Sequence, residues 1–166
     1  LFALSASIGP FVGQNWGAQR FDRANQGMQM AFLVSIIWGL SVALLFLIFG
    51  SHIGGLFADD PSAVAYASLY LAIVPFSYGT WGVLMMASAT FNSLGKPISS
   101  TIMSVVRMFV IYVPLAYIGR HYFDVTGIFA AACISNFLMG ALGYSWNRLT
   151  YGDKARLAKG QVEPAL

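Results

Sequence analysis

The sequence predicts an all-α, polytopic membrane helix bundle of about five transmembrane helices, and three observations carry that prediction. Composition is the first. The chain is 58% hydrophobic and 9% charged, with a mean hydropathy of +0.70. A soluble domain carries about 25% charged residues, so too few charges remain here to solvate a globular surface. The second is Met28–Gly50, 23 residues without Asp, Glu, Lys or Arg. At a rise of about 1.5 Å per residue such a helix crosses a hydrocarbon core of about 30 Å. Thirteen of its residues are Leu, Ile, Val or Phe. At about −0.3 to −0.6 kcal/mol each, they favour insertion by about 4–8 kcal/mol before Gln29, Ser35, Ser41 and the glycines subtract. The third is where the charges stand, between and after the apolar runs.

Taken in order, residues 1–17 read as the end of a spanning helix whose beginning is missing. The chain opens on Leu1 with neither an initiator Met nor the basic region of a signal peptide, which reads as a fragment. Gly9, Gly13 and Gly17 recur every four residues, so they share one face and admit a neighbouring helix closely. A polar loop over 18–27 carries Arg20, Asp22 and Arg23. The second crossing is 28–50, with no recurring polar stripe that would make it a surface helix.

The loop SHIGGLFADDPS follows, and Asp60–Pro61 reads as a helix N-cap with proline at the first helical position, where its missing N–H costs nothing. The third crossing, about 64–91, contains Pro75 and then Gly79 and Gly82, so a kinked or tilted helix is expected. Residues 92–97 form a tight turn holding Lys96. The fourth crossing, about 98–118, holds Arg107 near its centre and Pro114 beyond it. GRHYFDV leads into the fifth, about 126–146. The bundle therefore occupies 1–147, and 148–166 is a basic tail.

Orientation follows from the basic residues. Arg20, Arg23, Lys96, Arg148, Lys154, Arg156 and Lys159 fall on one side, and Arg120 alone on the other. The positive-inside rule places the first set, and the C-terminal tail, in the cytoplasm of a multi-pass protein of the cell (inner) membrane. The same placement accounts for the net charge of +3 without invoking nucleic acid as a partner. The one cysteine, Cys133, lies in an apolar run, so neither a disulfide framework nor a metal cluster is available.

Arg107 is the leading candidate for function. A central arginine costs about 2.5–3.5 kcal/mol on insertion scales, against about 3–6 returned by the Leu, Ile, Val and Phe residues of its span. It should not face lipid. Ser100 and Ser104 lie on its helical face, so one reading is a hydrated pathway along this stripe. The other is an arginine that snorkels to the cytoplasmic headgroups. Asn136 shares a face with Ala132, Cys133, Gly140 and Gly143, which fits an amide bonding across a close helix contact, or else a substrate ligand. Tyr78, Trp81 and Met85 form an aromatic and thioether face suited to bulky apolar cations, to plain packing, or to an interfacial belt. No HExxH or GxSxG motif occurs and no acid lies in a span, so neither catalysis nor ion coupling has an intramembrane carboxylate in this chain.

At GPFVGQNWGAQRFDRA (Gly9–Ala24), LFADDPSAVAYASLYL (Leu56–Leu71) and FNSLGKP (Phe91–Pro97) the chain resembles the multidrug and toxic compound extrusion (MATE) transporters. VVRMFVIYVPLAYIG, followed by TGIFAAACISN, is similar to that family's last two helices. The resemblance implies twelve helices in two six-helix lobes, of which this chain is most of the second, from the eighth helix to the twelfth. It implies export of organic, often cationic, compounds against sodium or protons. The partners would be the lipid bilayer, the missing N-terminal lobe and small organic substrates, with no cofactor beyond the coupling ion. Some sodium-coupled members place an acid on the tenth helix, but 64–91 has none, so the ion is undecided and its site falls outside this segment. Pro75 and Pro114 are the expected hinges. The rivals are a lipid-linked oligosaccharide flippase of similar architecture and a non-transporting membrane scaffold.

Overall fold

The computed structural model describes residues 1–57 and 60–160, and among them every regular element is helical. They are α1 (Phe2–Gly17), α2 (Phe21–Phe57), α3 (Pro61–Ile73), α4 (Tyr78–Ser93), α5 (Pro97–Val105) and α6 (Val113–Gly160). Two irregular helical segments stand between them, a 3₁₀ turn at Val74–Ser77 and a π-helical segment at Val106–Tyr112. The expected tail begins inside α6; residues 161–166 lie outside the described residues, as do Ala58 and Asp59 of the expected loop.

The connections are shorter than hydropathy suggests, because a helix does not end where its apolar character ends. The polar stretch expected as a loop over 18–27 is reduced to a turn at Ala18–Arg20, and α2 starts at Phe21 with Asp22 in its first turn, where an acid favours the helix dipole. Gln19 turns the chain at φ 58°. Its N–H donates to the carbonyl of Trp16, and that of Arg20 to the carbonyl of Asn15. Trp16 and Phe21 close over this corner, ring centroids 4.7 Å apart. FNSLGKP makes the same kind of stop. Gly95 sits at φ 70°, the amide of Lys96 donates to the Phe91 carbonyl, and Pro97 opens α5. Asp60 caps α3 as expected, accepting hydrogen bonds from the Ser62 amide and hydroxyl, which hold its carboxyl below the usual carboxylate range.

Both prolines distort the backbone that contains them. Pro75 cannot extend the α ladder, and the chain tightens into the 3₁₀ turn between α3 and α4. Pro114 likewise offers no N–H to the carbonyl one turn before it; the preceding turns widen to π geometry, with the Val113 amide reaching back five residues to Met108.

The last apolar stretch, Pro97–Thr150, folds back on itself at Asp124 (φ 54°, ψ −135°), giving α6 two arms. Gly119 and Gly127 meet there so closely that a Cβ on either would fall within 3 Å of the other's backbone. Arg107 and Asn136, paired further along, continue the same antiparallel alignment.

α4 is the central helix and packs against α1, α2, α5 and α6. The core joins Ile8 and Val12 of α1, Met28 and Phe32 of α2, Met86 and Phe91 of α4, Met103 of α5 and Met139 of α6. Small residues set the spacing: a Cβ on Gly39 would strike the backbone of Gly79, and beside them the Ser35 hydroxyl donates to the Gly79 carbonyl at 2.9 Å. Of the three N-terminal glycines, Gly9 and Gly13 face Ala89 and Ser93 of α4 as the spacing predicts. Gly17 corrects that expectation. Nothing lies within 4 Å of its Cβ position, because α4 ends at Ser93, opposite Gly13.

The outward faces remain apolar. The most apolar 18-residue window of Phe21–Gly50 has a mean hydropathy of 2.7, yet only 22% of it is buried. Leu33, Ile37, Trp38, Leu44, Leu47 and Ile48 all stand exposed along it. Three stretches are long and apolar enough to cross a membrane: Phe21–Gly50, Pro61–Ser93 and Pro97–Thr150. Such surfaces are stable in lipid and aggregate in water.

Candidate functional site

A chain of hydrogen bonds runs across the bundle through both irregular segments. Arg107, in the π segment, donates from its Nη1 to the Asn136 Oδ1 at 3.1 Å. Asn136, on the second arm of α6, donates from its Nδ2 to the Ser77 Oγ at 2.9 Å. Ser77, in the 3₁₀ turn, donates in turn to the Val74 carbonyl at 2.8 Å. Ser77 and Asn136 are buried, and Arg107 is half-buried. One turn before Asn136, the Cys133 thiol lies 3.3 Å from the Ile73 carbonyl, at the same interruption of the ladder.

Each link has a local cause. At the 3₁₀ turn the Ser77 hydroxyl and the Cys133 thiol add side-chain donors to the Val74 and Ile73 carbonyls. Ser77, by donating to Val74, turns its oxygen lone pairs to the Asn136 amide. Asn136 is thereby fixed with its oxygen toward the guanidinium. The guanidinium thus points sideways into the bundle.

Its depth follows from the helix geometry. Arg107 is ten residues beyond Pro97, about 15 Å along the axis; with Pro97 at the membrane surface that distance would be half a hydrocarbon core. Its partners stand at a comparable depth, on the far arm of the hairpin and at the mid-helix break of residues 61–93. The sideways geometry is that of a polar group held inside the bundle, and a snorkelling side chain would run along its own helix to the headgroups.

The other nominated residues fall in different places. Ser104 donates back to the Ser100 carbonyl at 3.2 Å and remains exposed, so the serine stripe does not join the Arg107 chain. Tyr78, Trp81 and Met85 lie along one partly buried face of α4. The Tyr78 hydroxyl pairs with that of Tyr70 at 3.2 Å, and Tyr70 packs edge-on against Phe129, centroids 5.3 Å apart. A groove of about 470 Å³ opens elsewhere, between α2, α4 and α6, lined by Gln29, Phe32, Thr80, Phe137 and Tyr144 among others; none of the nominated residues lines it. Ser77 is the functional candidate that the sequence reading missed. Its signal was its place, two residues after the proline of a predicted kink.

Apolar outer faces, helices long enough to cross a membrane and a polar chain between two broken helices define a polytopic membrane protein. Residues 1–118 match the model of the MatE family, and the chain belongs to that family. It is 29% identical over 144 residues to the FAD transporter of Shewanella oneidensis, covering 87% of this chain and 32% of that protein. It is 26% identical over 153 residues to the probable multidrug resistance protein YoeA of Bacillus subtilis, covering 88% and 33%. The chain therefore spans about a third of the length of the curated relatives it matches. Among solved structures, the Vibrio cholerae MATE transporter VcmN in its bent form superposes with a TM-score of 0.83 at 26% identity, over 92% of this chain and 34% of that one. An outward-facing multidrug resistance MATE transporter superposes at 0.85 with 20% identity, over 92% and 35%, and shares the fold.

Proposed function

We propose that this chain is the greater part of one lobe of an antiporter that exports small organic compounds in exchange for sodium or protons. The observation that carries the reading is the Arg107–Asn136–Ser77 chain, a charged and hydrogen-bonded group held at mid-depth between two helices broken at Pro75 and near Pro114. Polar groups are costly in a membrane and mark solute pathways there, and broken helices are where transporters place their sites. The two breaks would let the lobe bend around a central cavity. The relatives' names offer two kinds of cargo, FAD and multiple drugs. No acid lies in the spans, so the coupling ion would bind on a part of the transporter beyond these residues. Arg20, Arg23, Lys96 and the C-terminal basic residues face the cytoplasm in this reading, and Arg120 faces outward.

The test is efflux. The full-length protein carrying this sequence, expressed in a bacterium stripped of its own exporters, should lower the accumulation of a fluorescent dye or a flavin. Collapsing the sodium or proton gradient should restore it. Equal accumulation with and without the protein, across drugs, dyes and flavins, would overturn the reading.

A further inference from the structure

The partner that the structure gives Arg107 is a neutral amide, and the charge itself remains to be balanced. The guanidinium is ionised under all ordinary conditions and carries five N–H donors. The bond to Asn136 uses a donor on Nη1. No Asp or Glu occurs between residues 61 and 123 of the sequence, so the helices that hold this arginine supply no carboxylate at its depth. A cation at mid-membrane without a counter-charge is costly, and a bound anion lowers that cost.

Asn136 is oriented to keep this arrangement. Its amide nitrogen is held by Ser77, so its oxygen faces the guanidinium, which is half-buried and keeps donors free for a fork-shaped contact. We infer that Arg107, positioned by Asn136 and Ser77, binds an anionic group, a phosphate or a carboxylate, in the membrane interior, and that this group belongs to the transported solute. Tyr70 and Tyr78 flank the same break, and Phe129, on the arm of α6 that carries Asn136, packs against Tyr70, giving an aromatic cluster close in sequence to Ser77 and Asn136. The inference rests on the transport reading for the source of the anion, but the site can be measured without any transport.

The probes are flavin mononucleotide and riboflavin, which share one ring system and differ by a phosphate. Binding to the full-length protein in phosphatidylcholine nanodiscs is read from flavin fluorescence. The mononucleotide should bind about tenfold more tightly than riboflavin, or better, as expected of a hydrogen-bonded charge contact. Arg107→Gln should erase that preference, and Arg107→Lys should restore part of it. Asn136→Asp is the sharper variant. It exchanges the contact to Arg107 for an ion pair and obliges the Ser77 hydroxyl to turn from Val74 and donate to the carboxylate; folded yield checks that the protein survives the change, and the counter-charge it supplies should abolish the preference.

Equal binding of the two flavins by the unaltered protein, or no binding of the mononucleotide, would overturn the inference. So would a preference that survives Asn136→Asp. Phosphatidylglycerol added to the nanodiscs separates the two sources of anion. Competition with the mononucleotide would assign the contact to a lipid phosphate, and indifference would keep it for the solute. If efflux failed while the Arg107-dependent preference stood, the transport reading would fall and the anion site would remain.

Discussion

At the scale of the residue, the economy of this protein lies in how few polar groups it places between its apolar helices and in how it links three of them. Asn136 uses both ends of its amide, one on Arg107 and one on Ser77. Ser77 accepts from Asn136 and donates to Val74. Removing the middle of such a chain leaves a buried donor without an acceptor. Ser77→Ala is expected to destabilise the protein by about 0.5–2 kcal/mol, read as a lowered melting temperature in detergent. It should also loosen Asn136, so the Arg107-dependent binding preference should weaken with it. Unchanged melting and unchanged binding together would mean that the hydroxyl positions nothing. Arg107 and Asn136 were both legible in the sequence, because a charge and an amide stand out against apolar neighbours. Their pairing was not. It joins residues 29 positions apart, and the third member is one serine among several.

The helices themselves were largely visible as apolar runs, and their stops were visible as chemistry. Asp60–Pro61 and residues 92–97 read as a cap and a tight turn from sequence; the cap forms, and the turn is confined to residues 94–96 because α4 runs on to Ser93. Helix ends away from those signals were misplaced. α2 continues past both ends of its apolar stretch, from Phe21 to Phe57, although Gly27, Gly54 and Gly55 lie in those flanks. The turn at Asp124 is also shorter than the expected loop, because Gly119 and Gly127 let the two arms touch.

Glycine spacing proved a partial guide to packing. It placed Gly9 and Gly13 against α4, but it overvalued Gly17 and passed over Gly39, whose partner Gly79 lies on a helix 40 residues away. A pair of substitutions separates these cases. Gly17→Leu should change stability by less than about 0.5 kcal/mol, whereas Gly39→Leu should force α2 from α4 and cost several times that. Folded yield on size-exclusion chromatography in detergent is the measurement, and equal yields would contradict the packing described here.

For the whole molecule, lipid supplies the surroundings that water supplies to a soluble fold. The apolar exterior of α2 and the outer faces of α6 need no partner if hydrocarbon covers them. Pairing in the interior then rests on small residues and on the polar chain through Asn136. The two broken helices meet in that chain, so the breaks at Pro75 and near Pro114 are tied to each other through one amide. Family membership and the helical bundle follow from the match over residues 1–118 and from the superposition on VcmN. The orientation of the bundle rests on charge alone. Single-cysteine labelling tests it most directly, in the full-length protein with Cys133→Ala, using a membrane-impermeant maleimide on right-side-out and inverted vesicles. Lys96→Cys and Arg148→Cys should react only from the cytoplasmic side, Arg120→Cys only from the outside, and Arg107→Cys from neither at the rate of an exposed thiol. Labelling of residues 96 and 120 from the same side would contradict the account.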